Sequence, residues 1–106
     1  MNAAMPAMKE KLIVGLDVPT VTEAEKVVRE LDGTAGFYKI GYLLGYGDDG
    51  LALGRSLVSR GKRVFFDLKL LNIDNTVEKG VATFARTGAS MLTVHAYPRT
   101  MRAAAR

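Results

Sequence analysis

Apolar residues fall in short runs separated by stretches with helical spacing, and this alternation repeats four times along the chain. The first run, Leu12, Ile13, Val14, Gly15, Leu16, Asp17 and Val18, is nearly continuous and carries one carboxylate near its end. Such a run predicts a parallel strand buried on both faces, ended by Pro19. Thr22 with Glu25 three residues on has the form of a capping box, followed by Ala24, Val27, Val28 and Leu31 at helical spacing. Asp32 and Gly33 then close a first helix.

The unit recurs. Phe37, Tyr38, Ile40 and Tyr42 predict a second strand with Lys39 set inside it, and a helix from about Asp49 to Arg60 follows, stopped by Gly61. Val64, Phe65 and Phe66 start a third strand that ends in the polar positions Asp67 and Lys69. Asn75 with Glu78 is placed to cap a third helix whose buried stripe is Val77, Val81, Phe84 and Ala85, with Gly88 as its stop. Met91, Leu92, Thr93, Val94 and His95 predict a fourth strand, and the first turn of a fourth helix leads to Arg106. A βα period of roughly 25 residues is that of barrel or doubly wound α/β folds. Neither a GxGxxG after the first strand nor a Walker A loop is present, which removes the main support for a dinucleotide fold. No linker divides the chain, so residues 11–106 read as one unit behind a disordered lead-in over residues 1–10.

Composition narrows the class. Hydrophobic residues at 48% and charged residues at 25% are ordinary globular usage and argue against disordered, collagenous and coiled-coil chains. No apolar run approaches the roughly 18 residues of a membrane span, and the start has no signal-like apolar block, so a soluble cytoplasmic protein is expected. The absence of cysteine removes disulfides, thiolate metal sites and thiol nucleophiles. The net charge of +4 is spread along the chain, with basic residues alternating with acids and aromatics held in apolar runs. That pattern does not favour a nucleic-acid partner, whereas a small phosphorylated substrate suits a few well-placed cations.

Polar residues stand at equivalent places near the carboxyl ends of all four predicted strands: Asp17, Lys39, Asp67 with Lys69, and His95. In parallel barrels that rim carries the active site, because the loops converge there while strand backbones hold the side chains. Any one of these residues reads equally well as the start of a loop; four in phase point to a site. Period-two geometry puts Asp67 and Lys69 on one face, where Lys39 from the neighbouring strand completes a Lys-Asp-Lys array. A stabilising ion-pair network is the alternative reading of the same residues. His95 is a rim residue for which structural and functional roles both stay open.

At these positions the chain resembles orotidine 5'-phosphate decarboxylase of the bacterial type. The resemblance rests on Leu16-Asp17-Val18-Pro19, Phe37-Tyr38-Lys39-Ile40-Gly41, the Asp67 to Thr76 segment and Thr93-Val94-His95-Ala96, and it spans Leu12 to the end. It implies the first four βα units of a TIM (β/α)8 barrel, a truncated half-barrel. It also implies a metal-free and cofactor-free conversion of orotidine 5'-phosphate to uridine 5'-phosphate in pyrimidine synthesis, by a homodimer in the full-length family. Lys69 then matches the lysine that protonates the C6 carbanion, and Asp67 the carboxylate that holds it. Lys39 matches the lysine linking the array to the ribose, and Asp17 the residue binding the ribose hydroxyls. Thr76 and the position of Asn72 match groups supplied across the dimer interface.

Two departures stand out. Asn72 replaces the second Asp of the family's Asp-x-Lys-x-x-Asp motif, which leaves one carboxylate to balance two lysines and puts the chemical step in doubt. The chain also ends where later strands of the family supply the phosphate grip and pyrimidine contacts, so the isolated chain is expected to be inactive. Two competing readings follow. One is a magnesium-dependent sugar-phosphate decarboxylase or aldolase of the same superfamily, a group that shares Asp-x-Lys-x-x-Asp but carries Glu where Lys39 stands here. Alternatively, exposed strand edges and an open apolar face suit a non-catalytic half-barrel that self-associates.

Overall fold

The structure, a computed structural model, describes residues 11–45, 48–70 and 74–106. The expected lead-in over residues 1–10 lies outside the described residues. In chain order the elements are β1 (Val14–Gly15), α1 (Val21–Glu30), β2 (Phe37–Ile40), α2 (Tyr42–Gly45), α3 (Asp48–Ser59), β3 (Arg63–Leu70), α4 (Asp74–Ala85), β4 (Met91–Val94) and α5 (Pro98–Ala104). The strands form one all-parallel sheet in the order β1-β2-β3-β4. Consecutive parallel neighbours joined by helices are the α/β architecture that the repeat predicts.

The core lies between the sheet and its helices. Alternate strand residues Tyr38, Ile40, Val64, Phe66 and Leu68 pack with Ala24 and Val28 of α1, Leu44 of α2 and Leu53 and Leu57 of α3. Phe84 of α4 adds its ring against Phe66, with centroids 4.8 Å apart. Burying each large apolar side chain stabilises the fold by about 1.5–3 kcal/mol. Gly61 and Gly88 take φ of +80° and +84° directly after α3 and α4, the left-handed turn that ends a helix without a Cβ penalty. Outside the core, ion pairs tie neighbouring units: Arg60 to Glu25 at 3.0 Å, Lys62 to Asp32 at 3.0 Å and Arg106 to Glu78 at 3.6 Å.

Several local expectations shift. The first strand shrinks from Leu12–Val18 to Val14–Gly15, extended only by the Leu16 N–H donating to the Lys39 carbonyl at 2.9 Å. Among the described residues its sole partner is the four-residue β2, so there is little ladder for a longer strand to join. Helix α1 is capped by Thr20, not Thr22: the Thr20 hydroxyl accepts from the Glu23 N–H at 3.2 Å. Thr20 and Glu23 have the same capping-box spacing two residues earlier, and the earlier start lengthens the helix. Tyr42 opens the short helix α2 instead of ending β2, with the Gly45 N–H donating to the Gly41 carbonyl at 2.8 Å. Helix α4 begins at Asp74, one residue before the predicted cap, and the Asn75 side chain lies outside the described residues. Of its predicted stripe Val77 is buried, Val81 and Phe84 are half-buried and Ala85 is exposed, because β4 flanks β3 on this side and has no strand beyond it among the described residues.

Candidate active site

The pleat sends the intervening residues of each strand to the opposite, open face of the sheet. Register aligns Gly15 with Lys39, Lys39 with Phe65, and Phe65 with Met91, so one row crosses all four strands. Below it, Arg63 lies over the Phe37 ring at 4.3 Å, filling the amino-terminal end with a cation–π contact. Above it, at the carboxyl ends, the charged residues gather.

Asp67 is the centre of that group. Its Oδ1 accepts from the Lys69 ammonium at 2.9 Å and from the Thr93 hydroxyl at 2.8 Å, while its Oδ2 lies 3.9 Å from the Lys39 Nζ. The Asp67 side chain is 19% exposed and Lys69 64%, so the carboxylate is set into the face and the ammonium reaches outward. The hydrogen bond from Lys69, then that from Thr93, holds the Asp67 carboxyl below the usual carboxylate range; desolvation opposes them, and the charges of Lys69 and Lys39 add to the lowering. Asp67 therefore stays ionised across neutral pH.

Asp17, two residues beyond the end of β1, joins through a glycine. A Cβ on Gly15 would meet the Asp17 Oδ2 at 2.9 Å and the Lys39 Cε at 3.6 Å. Both side chains converge over the bare Cα of Gly15, which gives the run Val14, Gly15, Leu16 its only small residue. Lys39, Asp67 and Lys69 thus come together as the strand-end pattern predicts, with Asp17 beside Lys39. Thr76 stands exposed on the first turn of α4, and Asn72 lies outside the described residues. His95 donates its backbone N–H to the Leu70 carbonyl at 3.0 Å and stacks its ring on Tyr97 with centroids 6.1 Å apart, at the edge of this group.

Two features were not expected. Lys69 is a non-glycine residue with φ of +51°, a left-handed conformation that costs about 1–2 kcal/mol. Period two alone thus does not account for the Asp67–Lys69 contact; an irregularity in β3 aims the lysine. Thr93 is legible in the sequence as a strand residue and as part of the Thr93-Val94-His95-Ala96 motif but not as a partner of Asp67, although its hydroxyl stands in phase with His95 on an otherwise apolar strand.

Comparison with known proteins bears on the family and the fold. The sequence pattern of the family described as "Orotidine 5'-phosphate decarboxylase / HUMPS family" matches residues 10–106. An orotidine 5'-phosphate decarboxylase of Methylobacterium nodulans is 57% identical over 101 residues, covering 95% of this chain and 42% of the relative. Among solved structures, an uncharacterized conserved protein from Geobacillus kaustophilus superposes with a TM-score of 0.78 at 42% identity, covering 88% of this chain and 44% of that one. Orotidine 5'-phosphate decarboxylase from Lactobacillus acidophilus superposes with a TM-score of 0.77 at 30% identity, over 88% and 42%. The chain spans less than half the length of these relatives, and its four βα units correspond to the first half of a (β/α)8 barrel. On its sequence and its fold, the chain belongs to the orotidine 5'-phosphate decarboxylase / HUMPS family.

Proposed function

We propose that this chain carries the proton-donor half of an orotidine 5'-phosphate decarboxylase, a cytoplasmic homodimer in its complete form. The observation that supports this most is the Lys39–Asp67–Lys69 array on adjacent strand ends. Decarboxylation without an electron sink leaves a carbanion at C6, and a preorganised cation beside that carbon is the device available to stabilise it. Lys69, exposed and aimed by Asp67, supplies that charge. As carbon dioxide departs, its ammonium gives a proton to C6 and is left as the neutral amine. Asp67 holds the lysine and faces the departing carboxylate, Lys39 and Asp17 take the ribose hydroxyls, and Thr76 reaches the partner subunit's site.

Lys39 also weighs against the magnesium-dependent reading. Its ammonium stands 3.9 Å from the Asp67 carboxylate, where a second cation would meet like charge.

The test joins this chain, after Arg106, to the remaining residues of the Methylobacterium nodulans relative and follows uridylate formation from orotidylate. The joined protein is expected to turn over without added metal, the 106 residues alone are not, and Lys69→Met is expected to abolish the reaction. Asn72→Asp is expected to raise kcat on the order of a hundredfold, the scale of one electrostatic contact at a reacting centre. Activity that needs magnesium, or survives Lys69→Met, would overturn the reading.

A further inference from the structure

Between β3 and β4 the ladder changes register. Phe66 pairs with Leu92 and Leu70 with Val94, so Asp67, Leu68 and Lys69 on one strand face Thr93 alone on the other. A regular ladder has no acceptor for a strand residue turned to φ of +51°. Here the Lys69 N–H donates to the Thr93 Oγ1 at 2.9 Å instead. The same hydroxyl donates its proton to the Asp67 Oδ1 at 2.8 Å, and that oxygen also takes the Lys69 ammonium at 2.9 Å. Three hydrogen bonds thus close a ring through three residues, fixing the lysine at its backbone and at its charged tip.

We propose that Thr93 is a positioning residue: its hydroxyl locks Lys69 in the left-handed conformation and turns the Asp67 carboxylate, so that the ammonium is held at one point above the strand ends. This rests on the decarboxylase reading for its purpose but not for its geometry. The role needs a group that accepts from an N–H and donates to a carboxylate at once, from a one-carbon stem on the facing strand. Threonine and serine meet that requirement and valine, equal in shape to threonine, does not. The branched Cβ further restricts the rotamer, which suits a hydroxyl with two fixed partners.

The experiment compares the chain with Thr93→Val and Thr93→Ser by NMR, reading the titration of the Asp67 carboxyl and the solvent exchange of the Lys69 amide. Valine is expected to move the Asp67 midpoint up towards the ordinary carboxylate value and to speed Lys69 exchange about tenfold or more, as for an opened hydrogen bond. Serine should keep both near the parent values. In the joined protein described above, Thr93→Val should lower kcat on the order of a hundredfold with KM little changed, the effect of a misplaced reacting group, and serine should restore it. Unchanged Asp67 titration and Lys69 exchange in Thr93→Val would overturn the proposal even where orotidylate is turned over, as would a serine variant behaving like valine. Shifts of the expected kind in a protein that never decarboxylates orotidylate would uphold the positioning role and refute the reaction instead.

Discussion

The two faces of the sheet are built from the same strands and do opposite work. On the helix-covered face Val64, Phe66 and Leu68 of β3 are at most 3% exposed, as are Tyr38 and Ile40 of β2. On the open face the residues between them, Lys39, Phe65 and Asp67, are half-buried, and Lys69 is exposed. Most of the apolar closure therefore falls on the covered side, with Phe37 at the amino-terminal end of the open face as the exception at 3% exposed, and the rim charge falls on the other. The difference teaches that the pleat partitions stability from chemistry within single strands: a slip of one residue would exchange the two sets and destroy both.

The sharpest way to break this comparison is to truncate neighbours on opposite faces. Phe66→Ala should lower unfolding free energy by about 3–5 kcal/mol in urea titrations, while Phe65→Ala costs about 1–2 kcal/mol, because the half-buried site leaves a smaller cavity. Equal losses would mean that the open face is as tightly packed as the covered one. A smaller effect separates the faces by pH. The Asp67 carboxyl sits below its unfolded value of about 3.9, so its stabilisation is present above that pH and is lost as pH falls through the depressed folded value. Asp67→Asn should remove this part of the acid dependence measured by thermal unfolding.

The covered face supplies the alkaline counterpart. Burial raises the Tyr38 phenol above its ordinary value, helped by Asp32 and opposed by Lys62 and Arg60. Its stabilisation is complete below about pH 10 and is lost as pH rises through the raised folded value. Tyr38→Phe should abolish that alkaline loss and cost about 1 kcal/mol at neutral pH, the worth of the hydrogen bond from its hydroxyl to the Ala35 carbonyl at 3.3 Å. The smallest change is expected outside both faces: Arg60→Ala, which frees Glu25, should cost about 0.2–1 kcal/mol and lose even that in high salt.

Much of this was legible along the chain, for reasons that differ by residue. Tyr38, Ile40, Val64 and Phe66 read as strand because β-branched and aromatic runs fit a pleated surface, and Gly61 and Gly88 read as stops because only a left-handed turn ends each helix there. Lys39, Asp67 and Lys69 were legible as a group because charges seldom interrupt apolar strands. The Thr20 cap lies two residues before the one that the Thr22–Glu25 spacing predicts, because two capping boxes overlap in Thr20-Val21-Thr22-Glu23-Ala24-Glu25. The brevity of β1 was hidden because a strand's length depends on its neighbour.

Local chemistry along the chain was thus enough to set the βα order, which follows from the periods of two and 3.6, and the residues that carry charge at the rim, which stand out as polar positions in apolar runs. Assembly alone decided the rest. The left-handed turn at Lys69, the shift of register that sets Asp67, Leu68 and Lys69 against Thr93, and the convergence of Asp17 and Lys39 over Gly15 each depend on residues brought together from distant parts of the chain. Such contacts have no period in the sequence, because a hydrogen bond between strands depends on register, and register is set only when the sheet closes.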